Sequence, residues 1–116
     1  MAEQLIVFRS GPRGSEAALE LAEALITLAA FGQPCRVLFI GDGVLQLTPG
    51  SNGNDGRSLE SLLAPLPEFG IPVCYAQASA VKKHTLAEEN LLVPVKLLAD
   101  DEIADIMRHC RHAIGW

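Results

Sequence analysis

Short, nearly unbroken apolar runs alternate along this chain with stretches whose apolar residues recur every three or four positions. The first run, Leu5-Ile6-Val7-Phe8, has strand length and no polar alternation, the pattern of a strand buried on both faces. Turn residues follow from Ser10 to Gly14. Ser15 then stands as a helix cap, with Glu16 in the first turn. Ala17, Ala18, Leu21, Ala24, Leu25 and Leu28 make one helical stripe that ends near Gly32.

Val37 to Ile40 predicts a second buried strand running into Gly41-Asp42-Gly43. Thr48 to Gly56 is built from turn-forming residues, so it is expected to be a surface loop and the most mobile internal segment. A short helix is expected over about Ser58–Ala64, stopped by Pro65 and Pro67. Ile71–Ala76 predicts a third strand, with Pro72 tolerated near its start. An Ala-rich helical turn runs on to about Lys83. Leu92–Leu98 predicts a fourth strand. Asp100-Asp101-Glu102 opens a helix with Ile103, Ile106 and Met107 inward, and this acidic start and the basic end at Arg108 and His109 both complement the helix dipole. His112–Trp116 predicts a short fifth strand.

Strand and helix alternate throughout, which points to an α/β fold with helices on both faces of the sheet. The expectation is one three-layer α/β/α domain over residues 1–116 with a mainly parallel five-stranded sheet.

Composition changes this picture in one respect. The chain is 49% hydrophobic and only 20% charged. A small domain leaves much of its surface in water, so an excess of apolar residues predicts an oligomer. Fourteen acidic residues against nine basic give a net charge of −5, which counts against a direct grip on nucleic-acid phosphates. No apolar run approaches the ~20 residues of a membrane span, and no basic flank of a signal peptide precedes the first strand. A cytoplasmic location is expected. Three cysteines at irregular spacing, Cys35, Cys74 and Cys110, do not make a disulfide framework.

Ligands of open α/β sheets sit at the carboxyl ends of the strands. By that rule Cys74, placed near the end of the third strand and just before a helix, is the one candidate sulfur nucleophile, with a buried core cysteine as the alternative. Cys35 and Cys110 fall at the opposite edge or in the core. Asp42 ends the second strand, where nucleotide folds place a ribose-binding acid, and the Gly11–Gly14 turn is of a kind that approaches phosphates. Neither GxGxxG nor GxxxxGK[ST] is present, so no nucleotide cofactor is expected. His109-Cys110-Arg111-His112 holds metal-ligating types, but neighbouring helix positions diverge and no second ligand pair exists, so no metal is expected. Lys82-Lys83-His84 forms a small basic cluster suited to an acidic tail or an anionic sulfur group. The residues alone leave two readings: chemistry at a Cys74 sulfur nucleophile, or a non-catalytic α/β module binding a nucleotide or small anion near Asp42.

Phe39-Ile40-Gly41-Asp42-Gly43-Val44-Leu45-Gln46-Leu47-Thr48-Pro49-Gly50 resembles the F-I-x-D-G-V-x-Q-L-x-P-G stretch of the TusC/DsrF branch of the DsrE/DsrF-like sulfur-relay family. Val73-Cys74-Tyr75-Ala76-Gln77-Ala78 is similar to that family's V-C-x-A-A-A segment. The resemblance covers essentially the whole chain. It implies a subunit of a heterohexamer with TusB/DsrH-like and TusD/DsrE-like partners. Such complexes pass sulfane sulfur as cysteine persulfide from a TusA-like donor to a TusE/DsrC-like acceptor, towards tRNA 2-thiouridine or in sulfur oxidation. Cys74 matches the segment of the family's carrier cysteine, whereas the Gly41–Gly50 stretch matches the supporting subunit. Asp42, Gly43, Gln46, Lys82 and Lys83 are expected at a crevice or interface.

Overall fold

The computed structural model describes residues 4–9, 15–48, 59–71, 73–110 and 112–115. The turn expected over Ser10–Gly14, the loop expected over Thr48–Gly56 beyond Thr48 itself, Pro72 and Trp116 lie outside the described residues.

Five strands form one sheet: β1 (Gln4–Phe8), β2 (Cys35–Phe39), β3 (Cys74–Gln77), β4 (Val95–Leu98) and β5 (His112–Gly115). Their order is β4-β3-β2-β1-β5, and every neighbouring pair is parallel. The α-helices are α1 (Glu16–Ala30), α2 (Leu59–Leu63), α3 (Ala78–Lys83) and α4 (Asp100–His109). The expected α/β architecture is therefore present, with a sheet that is parallel throughout.

Alternation along the strands sorts side chains to two faces. Ile6, Phe8, Val37, Phe39, Cys74 and Ala76 pack in one cluster with residues of α1, α2 and α3. Leu5, Val7 and Leu38 pack on the other face with Leu98 and Ile103, flanked by Ile106 and Met107 of α4. Phe8 and Phe39 are register partners, and their rings stack with centroids 4.7 Å apart and planes 10° from parallel.

Helix α1 starts and stops where its sequence directs. The Ser15 hydroxyl accepts a hydrogen bond from the Ala18 N–H at 3.3 Å. Gly32, at φ 77°, takes the left-handed conformation beyond its end.

Two strands start three residues later than expected. The third strand opens at Cys74 rather than Ile71, and the fourth at Val95 rather than Leu92. Pro94 cannot donate to a ladder, so β4 begins after it, and the Pro94 carbonyl instead accepts from the Cys74 N–H at 3.1 Å. Residues Gly41–Leu47 form a 3₁₀ helix that buries Gly43, Val44, Gln46 and Leu47. A second 3₁₀ turn, Leu66–Phe69, follows α2 and ends at left-handed Gly70.

Candidate functional site at the carboxyl edge of the sheet

All five strands point the same way, so their carboxyl ends share one edge. The exits of β2, β3 and β4 are joined there by side chains. The Gly41 N–H donates to Gln77 Oε1 at 2.8 Å. Gln77 Nε2 donates to Asp100 Oδ1 at 3.0 Å, and the Ser79 hydroxyl donates to the same oxygen at 3.3 Å. The Glu102 carboxylate folds back to accept from the Ala99 N–H at 2.9 Å. Gln77 thus ties the segment after β2 to the first turn of α4. A glutamine carries no chemical signature in sequence; the register of β3 between β2 and β4 is what gives it this place.

The 3₁₀ helix after β2 carries Asp42, and α3 ends beside it. Asp42 Oδ1 lies 3.1 Å from His84 Nε2, with 64% of the Asp42 side chain and 22% of the His84 side chain exposed. Lys82 and Lys83 are exposed in the last turn of the same helix. The structure therefore unites two features that are far apart in sequence, the Gly-Asp-Gly turn and the basic cluster. Gly43 and Gln46 take a different place. Both are buried, and the Gln46 side chain, fully enclosed, is partnered within the fold.

The structure corrects the placement of Cys74. It is the first residue of β3, and Tyr75, Ala76 and Gln77 separate it from α3. The strand starts later than its apolar run, so a cysteine expected near the carboxyl end opens the strand instead. Its side chain is 1% exposed and faces the α1–α3 cluster. Burial without a neighbouring charge disfavours the thiolate and pushes the thiol from 9.0 up to about 12. Cys35, the first residue of β2, donates its thiol to the Gln33 carbonyl at 3.4 Å. Cys110, between α4 and β5, donates to the Met107 carbonyl at 3.3 Å. Both are partly exposed and belong to the amino-end side of the sheet.

A model of the DsrE/DsrF-like family matches residues 3–115. The chain belongs to the DsrE/DsrF-like family. Among curated relatives, a Protein TusC homolog of Pseudomonas aeruginosa is 32% identical over 106 residues, covering 90% of this chain and 89% of that protein. A Protein TusC homolog of Vibrio parahaemolyticus is 27% identical over 118 residues and covers both chains fully. The fold is shared with the ychN protein of E. coli, at a TM-score of 0.83, 18% identity and full coverage of both chains. It is also shared with a conserved protein of unknown function from Bacteroides thetaiotaomicron, at a TM-score of 0.72 and 13% identity over 99% of this chain and 95% of that one. Among the described residues of this family member, no helix is long and apolar enough to cross a membrane.

Proposed function

We propose that this chain is a supporting subunit of a cytoplasmic sulfur-relay complex that passes sulfane sulfur as cysteine persulfide, towards 2-thiouridine in tRNA. The observation that carries this reading is the likeness to two TusC homologs along nearly the whole chain. The buried Cys74 thiol, pushed up to about 12, favours support over carriage, because the thiolate is the sulfur nucleophile. In this reading TusB/DsrH-like and TusD/DsrE-like subunits complete a heterohexamer. A TusA-like protein donates sulfur to the complex, and a TusE/DsrC-like protein accepts it.

Deleting the gene in its host and measuring 2-thiouridine tests the role. Loss of the modification is expected, with restoration by both the wild-type chain and Cys74→Ala. Sedimentation with co-expressed neighbours should give a particle well above the 12.4 kDa of one chain. Unchanged 2-thiouridine on deletion overturns the pathway. Failure of Cys74→Ala to restore it, with assembly intact, makes Cys74 a carrier and overturns the supporting role.

A further inference from the structure

We infer that the Asp42–His84 pair is a proton-accepting site that ionises the thiol of a sulfur-carrying partner docked at the carboxyl edge of the sheet. This rests on the sulfur-relay reading and gives that reading a residue that does chemistry.

Asp42 comes from the 3₁₀ helix after β2 and His84 from the residue that closes α3. The carboxylate can only accept, so the proton of the 3.1 Å bond belongs to His84 Nε2. In the neutral imidazole that bond selects the tautomer and leaves the Nδ1 lone pair as the acceptor. Helix α3 packs against β3 and the 3₁₀ helix. The charged groups on these elements are Lys82 and Lys83 of α3 and Asp42 itself, and β3 adds the titratable Cys74 and Tyr75. Lys82 and Lys83 directly precede His84 in the chain and are exposed, and cationic groups near a docked thiol favour the thiolate.

The backbone next to His84 is strained. Thr85 has φ 52° and, among the described residues, is the one non-glycine with positive φ. A β-branched side chain is disfavoured there, and such outliers gather at functional positions. The Thr85 hydroxyl donates to the His84 carbonyl at 2.7 Å, which helps hold the turn.

This chain's own thiols are badly placed to use the acceptor. Cys74 is enclosed at the start of β3, and Cys35 and Cys110 lie towards the other edge. In the sulfur-relay reading, the thiol served is one that a partner brings. Its S–H bond breaks, the proton passes to His84 Nδ1, and the electron pair stays on sulfur. The thiolate attacks the outer sulfur of a carrier persulfide, forming one S–S bond as the old one breaks. The departing thiolate takes the proton back from His84, so the step needs no oxidant or reductant.

The test uses the complex assembled with its co-expressed subunits. Radiolabelled sulfane sulfur is followed from a persulfidated carrier to the acceptor carrier's cysteine, from slightly acidic to alkaline pH. His84→Gln should slow transfer about 100-fold near pH 7. The deficit should close at about pH 9 and above, where thiols ionise unaided. Asp42→Asn keeps the imidazole and should slow transfer about tenfold with the same pH trend. Equal rates in wild type and His84→Gln, or a drop of equal size at every pH, would overturn the inference. Loss of assembly in both variants would make the pair a subunit contact and overturn it as well. A wild-type complex that moves no sulfur would sink the sulfur-relay reading itself, and this inference with it.

Discussion

A Cβ on Gly43 would stand 1.9 Å from the Phe8 carbonyl oxygen and 2.7 Å from the Arg9 nitrogen. The 3₁₀ helix after β2 thus lies against the backbone at the end of β1, and hydrogen is the largest group that fits. Gly41, at φ 52°, is constrained by conformation rather than space, since its nearest neighbour would be 3.7 Å away. Gly43→Ala should therefore cost about 2–4 kcal/mol, because backbone must move. Gly41→Ala should cost about 1–2 kcal/mol. Urea unfolding of the two variants checks the order, and equal midpoints would contradict it.

The thiols should alkylate in an order set by burial. Cys35 and Cys110 should react with iodoacetamide in the folded protein, and Cys74 only on unfolding. The same burial has a consequence for stability. The folded state holds the Cys74 proton up to about 12, whereas an unperturbed thiol releases it near 9.0. Above that lower value the unfolded chain binds fewer protons. Stability then falls as pH rises through the window from 9.0 to about 12, by at most about 1.4 kcal/mol per pH unit. Cys74→Ala should flatten this alkaline decline. A decline of the same slope in that variant would assign it to other groups.

Gln77 uses both ends of its amide, one on Gly41 and one on Asp100. Gln77→Ala should cost about 0.5–1.5 kcal/mol and speed amide exchange at Gly41. Gln77→Glu should be worse near neutral pH, because it sets a carboxylate against Asp100. Acidification below about pH 5 should relieve it as the introduced glutamate protonates. Thermal melts at two pH values distinguish charge from lost contacts. A Gln77→Glu penalty that ignores pH would rule out the repulsion.

The Phe8–Phe39 stack adds ring contact to burial. Phe8→Leu and Phe39→Leu should each cost about 1–2 kcal/mol, with a coupling of about 0.5–1.5 kcal/mol in the double-mutant cycle. Strict additivity would mean that the rings contribute burial alone.

Legibility followed the range of the interaction. Helix α1 was readable because Ser15, the Ala/Leu stripe and Gly32 are all local signals, and α4 because its charges follow its own dipole. The parallel sheet followed from alternation of element types. The start of β3 did not, because an apolar run marks burial and not pairing. Ile71 is buried without joining the ladder, and the first pairing is Cys74 with Val95. That difference of three residues moved the candidate nucleophile from one end of a strand to the other. Asp42 and His84 were each visible as residue types. Their meeting was not, since it spans 42 positions and depends on how the 3₁₀ helix packs against α3.

β1 has neighbours from both extremes of the chain: Gln4 pairs with Cys35 on one side and with His112 on the other. Closing the second pairing brings residue 4 to residue 112, among the most entropically demanding contacts a chain of this length can make. Until β5 arrives, Leu5-Ile6-Val7-Phe8 presents an open apolar edge with free amide and carbonyl groups. Such an edge is a template for another copy of the same strand. Refolding at high concentration therefore sets capture of β5 against strand pairing between molecules, and dilution favours the native sheet.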